Sequence, residues 1–327
     1  MRRRSLLAAP ALAFVPFPRG ATAQVQERWD LPTGFVDGNF HTRTLRDFAE
    51  DVRARTGGRL DIRLHTNNAL MPFGNIRRGV QTAQVPAGEI LLSLHGNQDP
   101  IMEADAIPFL AVGYDAAARL YAAQKPHLEK RMGELGLRML YSVPWPGQGL
   151  YTKAAVNGPE ELRGMRMRTP TPASSRLAEL VGAVPTVVQS GEVPQAFATN
   201  VVTGMMTSSP TGVDTQAWDF ARYFYTMDSW HPRNAVIVAE RAFARLDAAT
   251  RDAVLAAAAA AEPKGWQASR EADEAAKARM AQQGMQVLPP PASVVAAMRQ
   301  AGAQLARDWA ARTGEGGQAV LAAMAQG

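Results

Sequence analysis

The 327-residue sequence contains no cysteine. This absence excludes disulfides, thiolate nucleophiles and zinc sites with cysteine ligands. A chain of about 300 residues can bury a core large enough to be stable without such cross-links. The five histidines show no metalloprotease spacing, and the carboxylates form no calcium-loop pattern. The sequence therefore predicts neither a metal nor another cofactor.

The motifs of common enzyme classes are also missing. There is no G-x-S-x-G elbow and no phosphate-binding loop, and Gly147–Gly149 lacks the third glycine of a dinucleotide site. Ser93–Gly96 resembles the oxyanion loop of esterases, but no elbow serine accompanies it. We therefore expect a protein that is not an enzyme, and we keep a hydrolase as the alternative.

No hydrophobic run reaches the length that a membrane span requires. The apolar segment Ser5–Phe17 follows three arginines and precedes Ala21–Ala23, a small-residue cleavage signal. This pattern predicts a cleaved export signal over residues 1–23 and a periplasmic protein that starts near Gln24. Arg3–Leu7 resembles a twin-arginine signal, although the general secretory route also fits.

Excess positive charge is confined to that leader. The formal net charge is +5, from 35 Lys and Arg against 30 Asp and Glu, and four of the arginines lie within residues 1–23, where no acidic residue occurs. The remainder has 31 basic and 30 acidic residues and is nearly neutral. Nucleic acids and membrane surfaces attract a clustered positive excess, so we expect neither as a partner.

Strand and helix patterns alternate along the chain. Arg59–His65 alternates strictly and follows a helical pattern over Asn39–Thr56, and similar units recur. This order predicts an open α/β sheet with ligand chemistry at the ends of its strands. Proline and glycine interrupt the pattern at Pro144–Gly149, which we interpret as a crossing between two lobes. We expect residues 24–145 with about 233–272 in lobe I, and 146–232 with about 273–327 in lobe II.

Two further segments carry specific predictions. Glu89–Leu94 is apolar in its middle, which is typical of a buried parallel strand. Arg241–Gln282 is alanine-rich and helical, and Pro263 within it predicts a kink or a break.

The segment around Arg168 is the strongest candidate for a binding site. Met165 and Met167 alternate with Arg166 and Arg168, which predicts a short strand, and the helical pattern that follows ends at Gly182. Free N–H groups at a helix start favour an anion, and a guanidinium beside them can hold a carboxylate with two parallel hydrogen bonds. The alternative is that both arginines are solvated charges on an edge strand.

Several phrases of the sequence resemble one family. Glu161–Arg168, Leu180–Thr186 followed by Glu192–Phe197, and Val201–Gly204 together resemble the DctP-type solute receptors of tripartite ATP-independent periplasmic (TRAP) transporters. The resemblance implies a two-lobed periplasmic binding fold with a long C-terminal helical region that braces both lobes. It also implies a small organic acid held in the interlobe cleft by Arg168, closure on binding, and a membrane permease as partner. A receptor for an ABC-type permease or a sensor remains an alternative.

The departures from the family pattern concern the substrate. Sialate receptors of this family carry a second arginine where this chain has Gln148, so a single carboxylate clamp remains. A second buried carboxylate without a cation would be costly, which favours a monocarboxylate. Aromatic residues near the expected cleft edges and polar residues after strands complete the predicted ligand contacts, with packing, helix capping and structural roles as alternatives: Arg168, Gln148, Thr207, Ser208, Trp145, Thr33, Phe35, Trp230, His95 and Asn97.

Overall fold

The computed structural model describes residues 27–326. The predicted export signal over residues 1–23 and the predicted mature start near Gln24 lie outside these residues. Within them, each helix is too short or too polar to span a bilayer.

Strands and helices alternate along the described chain, as the sequence predicts. The strands are β1 (Glu27–Pro32), β2 (Leu60–His65), β3 (Ala87–Leu91), β4 (Leu137–Pro144), β5 (Gly149–Thr152), β6 (Arg166–Thr169), β7 (Val184–Val187), β8 (Gly204–Thr207), β9 (Tyr223–Tyr225), β10 (Arg233–Ala239) and β11 (Gln286–Leu288). The α-helices are α1 (Phe40–Arg55), α2 (Ile76–Gln81), α3 (Gly113–Glu134), α4 (Pro172–Leu180), α5 (Val193–Ala198), α6 (Ser209–Asp214), α7 (Glu240–Ala244), α8 (Ala248–Gln282), α9 (Ala292–Thr313) and α10 (Glu315–Ala325).

The first lobe contains a parallel pair, β1 and β2, beside a three-stranded sheet of order β3-β10-β4. The predicted direction of the apolar strand is wrong, because β3 runs antiparallel to β10. Its apolar run reflects burial rather than strand direction: Ala87, Gly88 and Ile90 are all buried. The strand also ends earlier than predicted, because Leu92–His95 forms a 3-10 helix.

The second lobe is built on a six-stranded sheet of order β11-β9-β5-β8-β6-β7. The arginine-bearing strand β6 lies between β7 and β8 and pairs in parallel with both. The edge-strand alternative is therefore wrong. Arg166 is exposed at the start of β6, whereas Arg168 is buried near its end.

The chain connects the lobes through the segments between β4 and β5 and between β9 and β10, and through helix α8. Helix α8 packs against α1 and β4 of the first lobe and against α6 and β11 of the second. The two-lobed α/β architecture with a long C-terminal helix is confirmed. Helix α9 contacts α4 and the 3-10 helix Pro100–Ala106, and α10 contacts α3, so the C-terminal helices touch elements of both lobes. The exact lobe boundaries stay a prediction.

Of the kink or break predicted at Pro263, the break is wrong, because the 35-residue helix α8 continues through this proline. Pro263 lies on the exposed face of the helix, where the carbonyl that loses its N–H partner can bind water instead. Gly265 is buried, and an added Cβ there would lie 2.4 Å from Cγ2 of Val143 on β4. Gly265 therefore allows close approach of α8 to the sheet.

Candidate ligand-binding cavity in the cleft

A cavity of about 60 Å³ lies where the two lobes and their connecting segments meet. Larger depressions, such as one of about 470 Å³ between α1 and α8, lie on the outer surface and carry side chains of both charges. Among residues 27–326, Arg168 is the charged side chain that lines the cleft cavity. The lining residues are Phe35, Phe73, Leu91, Leu94, Trp145, Gln148, Arg168, Pro170, Thr171, Gln189, Ser190, Thr207, Ser208, Thr211, Trp230 and Pro232.

Arg168 is 2% exposed. Its Nε donates to the carbonyl of Val188, which directly follows β7, at 2.8 Å. Its Nη2 makes a long contact of 3.4 Å with Oγ of Ser190. Nη1 has no hydrogen-bond acceptor within residues 27–326, and no carboxylate of that range forms an ion pair with the guanidinium. The neighbouring strand thus holds one side of the side chain, and the other side remains available to an anion.

Burial lowers the pKa of Arg168 from its ordinary value to about 10. The guanidinium is still charged near neutral pH, and it is a buried cation without a counter-charge from the described chain. Such a charge destabilises the folded protein unless an anion joins it. A carboxylate bound at this position would restore the missing partner with charge-assisted hydrogen bonds.

Two helices of the second lobe begin at the cavity wall. Thr171 is the N-cap of α4, and its side chain accepts a hydrogen bond from the N–H of Ser174. Ser208 is the N-cap of α6 and accepts from the N–H of Thr211. Helix capping and cavity lining are therefore not exclusive roles for these hydroxyls.

Gln148 joins the two connecting segments. Its N–H donates to the carbonyl of Trp230, and its own carbonyl accepts from the N–H and Oγ of Ser229. The side-chain Nε2 donates to the carbonyl of Pro146 at 2.9 Å. The side-chain oxygen has no partner among the described residues. Gln148 is thus both a structural link between the crossings and a polar group of the cavity.

Aromatic rings form the wall opposite the second lobe. The ring of Phe35 lies 4.9 Å from that of Trp145 and 5.0 Å from that of Phe73, both edge-on. Nε1 of Trp145 donates to Oδ1 of Asn234 at 2.9 Å, which fixes the indole. Flat, rigid ring surfaces of this kind suit a ligand with a ring or an apolar side.

Comparison with known proteins identifies the family. The family model for bacterial extracellular solute-binding proteins, family 7 (DctP), matches residues 37–313. The chain belongs to this family.

Solved structures of other receptors are closely similar. DctP6 of Bordetella pertussis, an extracytoplasmic solute receptor binding pyroglutamic acid, is 40% identical with a TM-score of 0.90, over 92% of this chain and 100% of that one. DctP7 of the same organism, which also binds pyroglutamic acid, is 41% identical with a TM-score of 0.90, over 91% and 99%. A TRAP solute-binding protein from a marine metagenome, specific for pyroglutamate, is 33% identical with a TM-score of 0.89, over 92% and 99%. The resemblance to TRAP solute receptors is thereby confirmed.

Most of the predicted contact residues of this DctP receptor lie together. The residues brought to the cavity are Arg168, Gln148, Thr207, Ser208, Trp145, Phe35 and Trp230. Their role in ligand binding stays a prediction.

The structure places the other predicted residues elsewhere. Thr33 is fully buried. Its hydroxyl does not face the cavity, because it donates to Oε2 of Glu89 at 2.5 Å. His95 is buried at the end of a 3-10 helix, where burial lowers its pKa from 6.5 to about 4. Asn97 is exposed. The prediction that His95 and Asn97 contact the ligand depends on a strand that reaches Leu94, but β3 ends three residues earlier.

Sequence reasoning missed several lining residues of this receptor. Gln189 and Ser190 come just after β7, so the rule that identified Arg168 and Thr207 at strand ends could have found them. Leu91 and Leu94 required knowledge of where β3 ends. Phe73 begins the 3-10 helix Phe73–Asn75 between β2 and α2, and no sequence pattern indicates that its ring meets Phe35.

Proposed function

We propose that this chain is the extracytoplasmic receptor of a TRAP transporter that binds pyroglutamate, or a ring monocarboxylate close to it, in the cleft cavity. Arg168 holds the carboxylate, the lobes close around the ligand, and the receptor delivers it unchanged to a membrane permease. Closure follows from differential affinity of the ligand for the closed form.

The observation that carries the proposal is the uncompensated guanidinium of Arg168. It is 2% exposed, has no carboxylate partner within residues 27–326, and lines a cavity beside the capped start of α4. Evolution of a stable fold alone would favour an apolar residue at such a position. A site that needs a ligand carboxylate explains why a charge is kept there.

The class of ligand follows from the rest of the lining. One cation matches one carboxylate, which supports a monocarboxylate. Gln148 offers an amide, and Phe35, Phe73 and Trp145 offer ring surfaces. Pyroglutamate combines a carboxylate with a lactam ring that has one N–H donor and one carbonyl acceptor. Receptors that are 33–41% identical to this chain bind it, and this similarity supports the same ligand here.

A receptor explains the lining better than a hydrolase does. The side chains at the cavity include hydroxyls and one guanidinium, whereas a hydrolase needs a general base beside its nucleophile. The family and its solved members are solute receptors, and those members include TRAP proteins rather than ABC receptors. These similarities favour a TRAP permease as the partner and the periplasm as the location.

Titration calorimetry with pyroglutamate tests the assignment of Arg168. Replacing Arg168 by Ala should cost about 2–5 kcal/mol of binding free energy, because a buried ligand carboxylate would lose its partner. Arg168→Lys should restore little, because an ammonium lacks the planar pair of donors. Arg166→Ala is the matched control on the same strand, since Arg166 is exposed and donates from Nε to the carbonyl of Asn200.

The possible outcomes distinguish a wrong ligand from a wrong binding site. Wild-type protein that binds no pyroglutamate but binds another monocarboxylate through Arg168 would correct the ligand alone. Arg168→Ala that binds the acid as tightly as wild type would refute the site. Conversion of the bound acid to a product would favour the hydrolase.

A further inference from the structure

A buried carboxylate lies behind the aromatic wall and does not touch the cavity. Glu89 on β3 is 2% exposed. Its Oε2 accepts a hydrogen bond from Oγ1 of Thr33 at 2.5 Å, and the same hydroxyl accepts from the N–H of Phe35 at 3.3 Å. Glu89 thus holds the short loop that carries the Phe35 ring. A buried carboxylate is costly without partners, so the fold retains these contacts together.

The second oxygen of Glu89 meets a buried imidazole. Nδ1 of His41 lies 3.4 Å from Oε1 of Glu89, and His41 is 1% exposed. The His41 ring lies 4.4 Å from that of Trp145 and 5.9 Å from that of Phe35. His41 therefore supports both rings from behind, and the Glu89 carboxylate lies beside the imidazole.

Helix α1, which carries His41, also contacts the other lobe. The backbone N–H of His41 donates to Oδ1 of Asn39, the N-cap of α1, at 2.9 Å. Nδ2 of Asn39 donates at 2.6 Å to Oδ2 of Asp214 on α6, the helix whose first turn lines the cavity. Asn39 thereby links the start of α1, which carries His41, to α6 of lobe II.

We propose that Glu89 is a positioning residue of the receptor, which acts through Thr33 and His41 to fix Phe35 and Trp145 and so sets the preference for ring acids over open-chain acids. This inference rests on the proposed function. A rigid ring wall matches a flat lactam, and a wall that can rotate loses that match while Arg168 still holds the carboxylate. Affinity for an open-chain acid depends less on the wall.

The test compares two ligands on wild type and on variants that leave the lining residues intact. Pyroglutamate is the ring acid, and N-acetyl-L-alanine carries the same carboxylate and amide without the ring. Thr33→Val removes the hydroxyl at constant volume, and Glu89→Gln removes the charge. Each should weaken pyroglutamate binding about tenfold and N-acetyl-L-alanine binding about twofold or less, which lowers the selectivity ratio.

Two controls separate positioning from general destabilisation. Thr33→Ser keeps the hydroxyl and should keep the ratio. Asp30→Asn alters another carboxylate–imidazole pair of lobe I, Asp30–His65 at 2.7 Å, which does not line the cavity. This variant should bind both acids as wild type does.

The selectivity ratio decides the question. If Thr33→Val weakens the affinity for both acids equally, or leaves both affinities unchanged, the ratio stays the same and the inference is overturned. If Glu89→Gln does not fold, the result for Thr33→Val decides alone. Arg168→Ala should abolish binding of both acids. A variant that keeps Arg168 but has a lower ratio of pyroglutamate to N-acetyl-L-alanine affinity therefore differs from one whose carboxylate site is lost. Wild-type protein that binds neither acid would contradict the proposed ligand class and this inference with it.

Discussion

Arg168 and Arg233 are both buried arginines, one in each lobe, and the fold treats them differently. Arg233 on β10 is 0% exposed and lies beside Asp105, with Nε 3.9 Å from Oδ2. Its guanidinium also donates to Gln124 and stacks on the ring of Tyr121, 4.7 Å from the centroid. Arg168 has a carbonyl and a distant hydroxyl but no acid within the described residues.

The difference separates a structural charge from a charge reserved for a ligand. The chain itself supplies the counter-ion of Arg233, so the charge of Arg233 is offset whether or not ligand is present. Residues 27–326 supply no counter-ion for Arg168, so the folded state bears the cost of desolvation until an anion binds. Stability and binding therefore place opposite demands on two residues of the same type.

Replacement of Arg233 by Met should have the largest effect. It leaves Asp105, which is 2% exposed, without its cation, and the free energy of unfolding should fall by about 3–5 kcal/mol. Urea denaturation of the ligand-free protein measures this loss. The double variant with Asp105→Asn should recover part of it, because no charge is then left buried alone. If Arg233→Met lowers the free energy of unfolding no more than replacement of an exposed arginine does, Arg233 is not a structural charge and its contrast with Arg168 is wrong.

Replacement of Arg168 by Met should act in the opposite direction on stability. Burial places the pKa of Arg168 at about 10 in the folded protein, below its ordinary value, so the charged form destabilises folding throughout the range below pH 10. Removing the charge should raise the free energy of unfolding of ligand-free protein by about 1–2 kcal/mol, since relief of desolvation exceeds the lost hydrogen bond to Val188.

Denaturation must be measured on protein freed of bound ligand by unfolding and refolding. Arg168→Met should also gain no stability from added pyroglutamate, whereas wild type should gain about 2.7 kcal/mol at a hundredfold excess over Kd. A variant that is destabilised as strongly as Arg233→Met would mean that Arg168 has a structural partner.

The smallest expected effect is the pH dependence of the Arg233→Met defect. Burial raises the pKa of Asp105 from 3.8 to about 6 even though Arg233 opposes the rise. Without Arg233 this pKa should rise further, so the carboxyl is neutral at pH 5 in both proteins and the defect shrinks there. Between pH 6 and pH 8 the defect should grow by about 1.4 kcal/mol for each unit by which the variant raises the pKa. A defect that is constant from pH 5 to pH 8 would show that Asp105 is not its source.

Local patterns predicted much of the fold and part of the cavity. The alternation around Arg168 and the helix that follows it were readable because strands and helices repeat at fixed short periods. Local periodicity failed at β3, because an apolar run does not show that the strand is followed by a 3-10 helix after Leu91. The prediction that His95 and Asn97 lie at the cavity is wrong for this reason. The break predicted at Pro263 is also wrong, because packing of α8 against both lobes outweighs the local cost of proline.

The sequence alone determined the order of strands and helices, the near-neutral charge outside the leader, and the place of Arg168 at the end of a strand before a helix. Tertiary structure decided that β6 lies between β7 and β8, that the carbonyl of Val188 holds one side of the guanidinium, and that no carboxylate of the described chain reaches the other side. It also decided that Thr33 faces Glu89 rather than the cleft. The reason is that these contacts join residues far apart in the chain, whose meeting depends on how whole strands and lobes pack and not on any local period.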